Sequence, residues 1–580
     1  MFPGPVMPLD ADLLLHRIAG PAWRAELIGR LGFRPDELPP SAPPVIAVID
    51  GYAYLNASLL RVWAHRTPVL AANHIDAAYL GPGLPAHQVM GWHDHPAATG
   101  GSLHQWLRRL LVEGDLGDVD ELWAEARRLQ NERPDIATLL DTEVHRRIAD
   151  LAPLLARVLA RQLHIMLAAS IGPGILSAIC VERGLPTEAV HLIAGLGGVP
   201  TAAPVPALWT LSRLAAHSAT AADAFNLGPA GLEGRLRASG AGDVRGLIAG
   251  VDALAAEVGA LGAGTWELTA PSDAGVTGAV LAAVDRLRRL PDTLDPAPAM
   301  AAVAANRAEL VTEFDDTLDT ERDVEERAAR NQFLVAVRAT ESVVRARERI
   351  SLALGLVLDE MRVAVRELGL RATARNDVSH PDDLRLLNAD EFAYYADGGL
   401  ADVGAIVSAR RIALAERRRT PPPVVDVETG AGRTIRPATD ADAASPMPLE
   451  AGGIVMGWPV ASAVGRGRAR IVTDLTAGPP ADLEPGEVLV ASTIPTSWLP
   501  YLIGIGGVVT EAGSLLSHLS VLCRELSVPL VAGIEHATGV FVEGSVLSVD
   551  GLTGIVSVME DPPVETASEA VMILDPWGVS

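Results

Sequence analysis

The chain has 580 residues, a formal net charge of −25 at pH 7 and only two cysteines, Cys180 and Cys523. This length exceeds one ordinary domain and suggests about three. The negative charge argues against nucleic acid and anionic membranes as partners, because both are bound through clustered cations. Two cysteines cannot build a disulfide framework or a cysteine-rich metal site, so a reducing, cytoplasmic location is expected.

All 47 basic residues are arginine, and the sequence contains no lysine. An arginine-biased composition is the simplest explanation. Whatever its origin, the absence excludes a Walker P-loop lysine, a Schiff-base lysine and pyridoxal attachment.

Residues 1–416 are expected to form a mostly α-helical body, because apolar residues recur three and four positions apart, as at Leu103, Leu107 and Leu110. Within it, a β-branched run around Asp50-Gly51 predicts a small hairpin. Residues 299–368 contain one glycine and no proline, which favours long antiparallel helices. The apolar stretch 163–180 is interrupted by Gly172-Pro173-Gly174 and is expected to be buried core rather than a membrane span.

Residues 417–453 differ sharply in composition, with three arginines, then three prolines, then polar sequence rich in glycine and proline. We interpret them as a flexible linker that spans on the order of 30 Å. The sequence thus predicts an α+β multidomain protein with a C-terminal β/β/α domain at 454–560 and a tail at 561–580. Its predicted strands are 469–472, 487–491, 507–510, 530–532, 545–549 and 555–558, with one helix at 517–526.

The most informative segment of this domain leads from a strand through a loop of small residues to Ser517-His518, which opens an amphipathic helix. The apolar stripe formed by Leu519, Leu522, Cys523 and Leu526 leaves His518 free to point elsewhere. A histidine in the first helical turn lies near free N–H groups that favour a phosphate. The alternative is that His518 caps its own helix or fills a gap in the core.

The same segment resembles the phosphohistidine swivelling domain of the phosphoenolpyruvate synthase, pyruvate phosphate dikinase and rifampicin phosphotransferase family. That signature reads roughly T-E-x-G-G-x-x-S-H followed by A-R-E-L-G-I-P. Matching residues are Thr510-Glu511, Gly513, Ser517-His518, Arg524-Glu525-Leu526 and Val528-Pro529, with further matches at 465–470, 485–490, 496–498 and 549–551. The resemblance implies that His518 carries a phosphate. It also implies a supporting phosphate loop formed by Thr510, Glu511, Gly513, Ser514, Ser517 and Arg524. Two residues depart from the pattern: Ser514 replaces the second glycine, and Cys523, expected to pack, replaces a small residue.

The body resembles the substrate domain of the same family through Gly4-Pro5-Val6-Met7-Pro8-Leu9, residues 50–56 and residues 382–391. By this resemblance, acceptor-site candidates are His93 and His95, which could act as a base, and Glu267. The polar residues of the family's mid-body G-H-R-G motif are absent at 259–262. Solvated loop histidines and a salt-bridging surface glutamate are the respective alternatives. No metal site is predicted.

One-piece members of the family begin with an ATP-grasp domain that charges the histidine, and the present sequence begins where that domain would end. We therefore expect ATP and Mg²⁺ to be bound mainly by a separate ATP-grasp protein. The expected acceptor is a small hydroxylated organic molecule. The alternative functions are a non-catalytic scaffold or ligand-binding regulator that has kept the fold, and a self-sufficient kinase with an unrecognised ATP site.

Overall fold

The structure is a computed structural model that describes residues 4–38, 45–67, 75, 101–258, 266–269, 275–318, 324–419, 424–428, 432–436, 447–475, 478–480 and 482–561. The N-terminal body opens with a π-helical segment, Asp10–Ala19, that continues directly into α1, Gly20–Gly29. The hairpin predicted around Asp50-Gly51 is present as antiparallel strands β1 (Ile46–Ile49) and β2 (Tyr52–Leu55). The helices that follow are α2 (Ala57–Arg66), α3 (Gly101–Arg108), α4 (Val119–Asn131), α5 (Asp141–Ala169) and α6 (Ile171–Glu182).

The apolar helices α5 and α6 lie in the core of the body. By length and composition alone the stretch Asp141–Glu182 could cross a membrane, but 78% of its most apolar window is buried inside the fold. Leu155, Val158 and Leu176 are fully buried among other apolar side chains. This burial agrees with the prediction of core helices.

Smaller helices form a second helical layer that shares an apolar core with the C-terminal domain. They are α7 (Glu188–Leu192), α8 (Pro204–His217), α9 (Ala219–Asn226), α10 (Leu232–Ala238), α11 (Gly242–Val258) and α12 (Gly275–Leu287). Val205, Val251 and Val284 are fully buried there, in one cluster with Leu489 and Leu530 of the C-terminal domain. The second helical layer therefore packs directly on the C-terminal domain.

Two long helices, α13 (Pro296–Leu318) and α14 (Val324–Ala374), form the spine of the body. Phe314 stacks on Phe333, and Arg307 pairs with Glu341 at 2.8 Å. The earlier residue of α13 thus faces the later residue of α14, so the two helices run in opposite directions. This confirms the predicted antiparallel arrangement. The body ends with α15 (Ala389–Ala396) and α16 (Val403–Arg419).

The predicted linker is not coil throughout. Strands β3 (Val424–Glu428) and β4 (Gly432–Arg436) pair antiparallel within it, with Val424 opposite Arg436. Its last residues already belong to the next domain, because Leu449 N–H donates to Val540 O at 2.9 Å and Gly452 N–H to Val558 O at 2.8 Å. The valines at 424, 425 and 427 were the available signal for a strand here, but the neighbouring prolines favoured a coil interpretation.

The C-terminal domain is built on an eight-stranded mixed sheet in the order β5-β12-β11-β7-β8-β9-β10-β6. The strands at the six predicted positions are β7 (Val464–Val472), β8 (Val488–Ala491), β9 (Gly507–Thr510), β10 (Leu530–Ala532), β11 (Val546–Asp550) and β12 (Ile555–Glu560). The short strands β5 (Ile454–Met456) and β6 (Trp458–Pro459) were not predicted. Strands β7 to β10 pair in parallel. Helices α17 (His518–Leu526) and α18 (Ala537–Val540) complete the domain.

Candidate functional site

His518 is the first residue of α17, at the carboxyl end of the parallel strand β9. The strand ends at Thr510, which is fully buried, and the loop 511–516 then leads to Ser517. Ser517 caps the helix: its hydroxyl accepts from the backbone N–H of Ser520 at 3.2 Å. Capping fixes the start of the helix at His518, because one otherwise unpaired N–H of the first turn is satisfied.

Gly513 lets this loop fold tightly over the end of the sheet. Its φ is +154°, and a Cβ placed there would lie 2.9 Å from Cβ of Ala532 and 3.3 Å from Oγ1 of Thr510. A side chain at this position would therefore collide with β10. The glycine of the sequence motif is explained by close backbone approach and by its conformation.

Glu511 and Arg524 hold the loop from two sides. The Glu511 carboxylate accepts from the backbone N–H of Thr538 at 3.0 Å and from its hydroxyl at 2.5 Å. The buried Arg524 donates to Val460 O at 2.9 Å and to Leu515 O at 2.7 Å. Burial lowers the pKa of Arg524 to about 10, so the guanidinium remains charged at pH 7. In this arrangement Arg524 supports the backbone that precedes His518.

His518 is in contact with the helical body. Its Nδ1 lies 2.9 Å from Oε2 of Glu348, a residue of α14 that is 170 positions earlier in the chain. The His518 side chain is 36% exposed, whereas that of Glu348 is fully buried. No other hydrogen bond to the His518 ring is formed by the residues that the structure describes. The ring is therefore held through Nδ1, and Nε2 is left for chemistry.

The Glu348 carboxylate is surrounded by donors. Thr201 donates its hydroxyl to Oε2 at 2.9 Å, and Arg347 donates to Oε1 at 2.7 Å. Burial alone would raise the pKa of Glu348, but the charge and hydrogen bond of His518, the charge of Arg347 and the Thr201 hydroxyl lower it to about 2. The carboxylate is thus ionised at neutral pH, and it accepts a hydrogen bond from the Nδ1–H of His518.

A second contact joins α17 to the body at its other end. The buried Glu525 accepts from the backbone N–H of Leu196 at 2.8 Å and of Gly197 at 3.2 Å. These two residues belong to a glycine-rich loop that connects α7 to α8. Helix α17 therefore meets the body through one polar side chain at each end.

Thr510 ends β9, Glu511, Gly513, Ser514 and Ser517 lie in the loop that leads to His518, and Arg524 lies on α17 and donates to Leu515 O of that loop. Ser514 is buried, and its carbonyl accepts from the Ser520 hydroxyl at 2.7 Å. Cys523 is buried as well, which raises the pKa of its thiol. Glu267 has no recorded contact with these residues; instead its backbone carbonyl accepts from Arg362 at 2.8 Å. His93 and His95 lie outside the described residues.

Sequence reasoning missed the residues that the body contributes: Thr201, Arg347 and Glu348. The available signal was a charged Arg347-Glu348 pair within the apolar pattern of α14, but such a pair also fits an ordinary helix surface. Glu525 was part of the matched Arg524-Glu525-Leu526 run without being assigned a role.

Comparisons with known proteins identify both sides of this contact. Residues 483–554 match the mobile domain of PEP-utilising enzymes, and residues 161–348 match the fourth domain of rifampicin phosphotransferase. His518 and Glu525 lie in the first match, and Leu196, Thr201 and Glu348 in the second. The chain therefore contains one segment similar to the mobile domain of PEP-utilising enzymes and another similar to the fourth domain of rifampicin phosphotransferase.

Individual relatives also match parts of the chain. The rifampicin phosphotransferase of Bacillus subtilis is 41% identical over 106 residues, which cover 18% of this chain and 12% of that enzyme. The rifampicin phosphotransferase of Streptomyces sviceus is 36% identical over 107 residues, with the same coverage of 18% and 12%. An uncharacterised protein of Mycobacterium tuberculosis is 35% identical over 204 residues, 34% of this chain and 22% of the relative. The matched segments thus span a small part of each of these relatives.

Proposed function

We propose that this chain is a phosphotransferase component that carries a phosphoryl group on Nε2 of His518, from a separate ATP-grasp protein to a small hydroxylated organic acceptor. The observation that carries the proposal is the contact between His518 and Glu348. It joins the mobile domain to the body through the same histidine that the family motif singles out.

The geometry of the ring supports Nε2 as the reactive atom. Because the ionised Glu348 can only accept, it holds a proton on Nδ1, so the ring nitrogen that can supply a lone pair for attack is Nε2. Charging forms a bond between Nε2 and phosphorus and breaks the bond from phosphorus to the leaving oxygen of the donor. Discharge breaks the bond between Nε2 and phosphorus and forms a bond from phosphorus to the acceptor hydroxyl oxygen; the electron pair returns to Nε2, and the hydroxyl proton goes to solvent. A carboxylate on Nδ1–H favours discharge, because the ring then leaves as neutral imidazole.

We assign ATP and Mg²⁺ mainly to the partner protein. The chain has no lysine with which to neutralise a nucleotide phosphate chain, and its formal net charge is −25. Bound Mg²⁺ would neutralise charge on the transferring phosphoryl group at the donor site. On the acceptor side, His518 faces the helical body. The apolar character of that body supports a small organic molecule as the acceptor rather than a polyanion.

The test is to incubate the purified full chain with a candidate ATP-grasp partner and ATP labelled at the β- or γ-phosphate. We expect protein-bound label that is lost in acid and survives alkali, as phosphohistidine requires. His518→Ala should abolish the label. His536→Asn is the matched control, since His536 is another partly exposed histidine of the same domain and asparagine tolerates its φ of +55°.

Absence of label on the wild-type chain, or equal label on His518→Ala, would contradict the proposal and favour the non-catalytic scaffold. Labelling without any partner would contradict the assignment of ATP to a second protein. The two labelled positions of ATP distinguish which phosphate is transferred.

A further inference from the structure

The glycine-rich loop between α7 and α8 holds three residues in the left-handed region of backbone conformation. Gly195, Gly197 and Gly198 have φ of +59°, +62° and +60°. Such conformations turn successive backbone N–H groups toward one side and form a concave anion-binding nest. The N–H groups of Leu196 and Gly197 point at the Glu525 carboxylate, at 2.8 and 3.2 Å.

The opposite side of the same loop is anchored to the spine of the body. Arg345 of α14 donates through Nε to Gly197 O at 2.7 Å, and a second guanidinium nitrogen donates to Leu196 O. Because their carbonyls are held by Arg345, these two residues present their N–H groups to the mobile domain. Arg345 and Glu348 are three residues apart on α14 and so lie on the same helix face.

The mobile domain presents a matching face. His518 and Glu525 are seven residues apart on α17, which places them two turns apart on one side of that helix. The two helices therefore meet at two contacts. Glu348 of α14 contacts His518 of α17, and the loop that Arg345 of α14 holds contacts Glu525 of α17. A contact at Glu525 fixes the position of the helix that carries the histidine.

The chemistry of the Glu525 contact suits reversible docking. Glu525 is 4% exposed, and within the part of the chain that the structure describes its carboxylate accepts hydrogen bonds from these two neutral backbone N–H groups. Burying a carboxylate is unfavourable unless hydrogen bonds compensate, and undocking restores its hydration. The net contribution of this one contact to docking is therefore a difference between opposing terms, which suits a contact that forms and breaks.

We infer that Glu525 and the glycine-rich loop 195–198 form a docking latch that holds His518 against Glu348 at the acceptor side of the body. This inference rests on the proposed function. In it Glu525 is a positioning residue: it does not touch the reacting atoms, but it sets the fraction of time for which the histidine is docked.

Docking is measured on the full chain by pulsed electron paramagnetic resonance between nitroxides at Val181→Cys on α6 and Met456→Cys on β5. These side chains are 60% and 70% exposed. The native Cys180 and Cys523 are buried, and burial raises both thiol pKa values, Cys180 to about 12, so they resist labelling. We expect one dominant distance in the otherwise unaltered chain. Glu525→Gln should lower the ratio of docked to undocked molecules roughly ten- to a hundredfold, the effect of losing a charge-assisted hydrogen bond.

Two controls separate the latch from general damage. Glu535→Gln makes the same chemical change at a side chain that is 91% exposed, and it should leave the distances unaltered. On the body side, Gly197→Ala should shift the distances as Glu525→Gln does, although a Cβ there meets nothing within 4 Å. Gly184→Ala, at φ +73° and also in open space, controls for the strain of a left-handed alanine.

Charging of His518 by the ATP-grasp partner gives a second readout. Glu525→Gln should take up label at least as fast as the wild-type chain, because an undocked arm is free to reach the donor; a folding defect would slow uptake instead. Unchanged distances in both Glu525→Gln and Gly197→Ala would overturn the latch, and if Glu525→Gln does not fold, Gly197→Ala decides alone. Absence of label on the wild-type chain would refute the proposed function and leave the distance measurement as an independent test of docking.

Discussion

At the scale of single residues, the loop before His518 depends on one glycine. The space at Gly513 is closed by Ala532 and by the hydroxyl of the buried Thr510. Both neighbours belong to strands, so neither can yield without disturbing the sheet. Gly513 has no side chain that could take part in catalysis, but the loop that leads to His518 can take this conformation only with a glycine there.

We predict that Gly513→Ala destabilises the C-terminal domain by about 2–4 kcal/mol, the sum of backbone strain and a steric clash. Gly486→Ala is the matched control, since its φ is +84° but a Cβ there meets nothing within 4 Å. It should cost only about 1 kcal/mol. Urea unfolding of the full chain measures both, and equal losses would show that the clash at Gly513 does not matter.

At the scale of elements, α17 is a short helix, and a side chain at each of its ends contacts the body. It spans nine residues, which is too short for a helix to be stable by propensity alone. Its stability comes from the buried Val521, Leu522 and Leu526, and from the Ser517 cap. Burial continues across most of the helix, because the sheet covers one side and the body another.

We predict that Ser517→Ala destabilises this domain by about 1 kcal/mol, because the Ser520 N–H loses its acceptor. The start of the helix should fray, and labelling of His518 should fall with it. Ser557→Ala on β12 makes the same substitution away from the helix and should change neither quantity. Unfolding curves and label uptake, measured on the same preparations, test this; a full-strength label on Ser517→Ala with unaltered stability would contradict it.

At the scale of the whole molecule, the two matched domains share more than a contact at one histidine. Apolar residues of the second helical layer and of the C-terminal domain form one buried cluster. Arg286 of α12 stacks on Tyr501 at 4.7 Å and donates to Leu483 O at 2.7 Å. The Glu348–His518 pair lies within this larger interface, so the titration of Glu348 affects the association of both domains.

We predict a specific pH dependence for this pair. The pKa of Glu348 is lowered from 4.5 to about 2 in the folded chain, so its stabilising contribution is complete above 4.5 and is lost as the pH falls toward 2. Compared by urea unfolding, the stability advantage of the wild-type chain over Glu348→Gln should shrink as the pH falls from 4.5 toward 2. An advantage that stays unchanged over that range would contradict the assignment to Glu348.

Local patterns were sufficient for much of the fold. The hairpin at Asp50-Gly51, the long helices α13 and α14 and six strands of the sheet follow from turn residues and apolar periodicity. The strands β5 and β6 were missed because runs of three and two residues are too short to show a period. The β3–β4 hairpin was missed because the neighbouring prolines favoured the prediction of a coil.

The candidate site also has a part that local sequence predicts and a part that it does not. The sequence by itself determined His518, its cap Ser517, the glycine of its loop and Arg524 behind it, because these residues are close along the chain and their spacing reflects one strand, one loop and one helix. Only the tertiary structure decided that Glu348 meets the histidine, and that Glu525 meets Leu196 and Gly197. Those pairs are separated by 170 residues or more and join two domains, so no local periodicity encodes them.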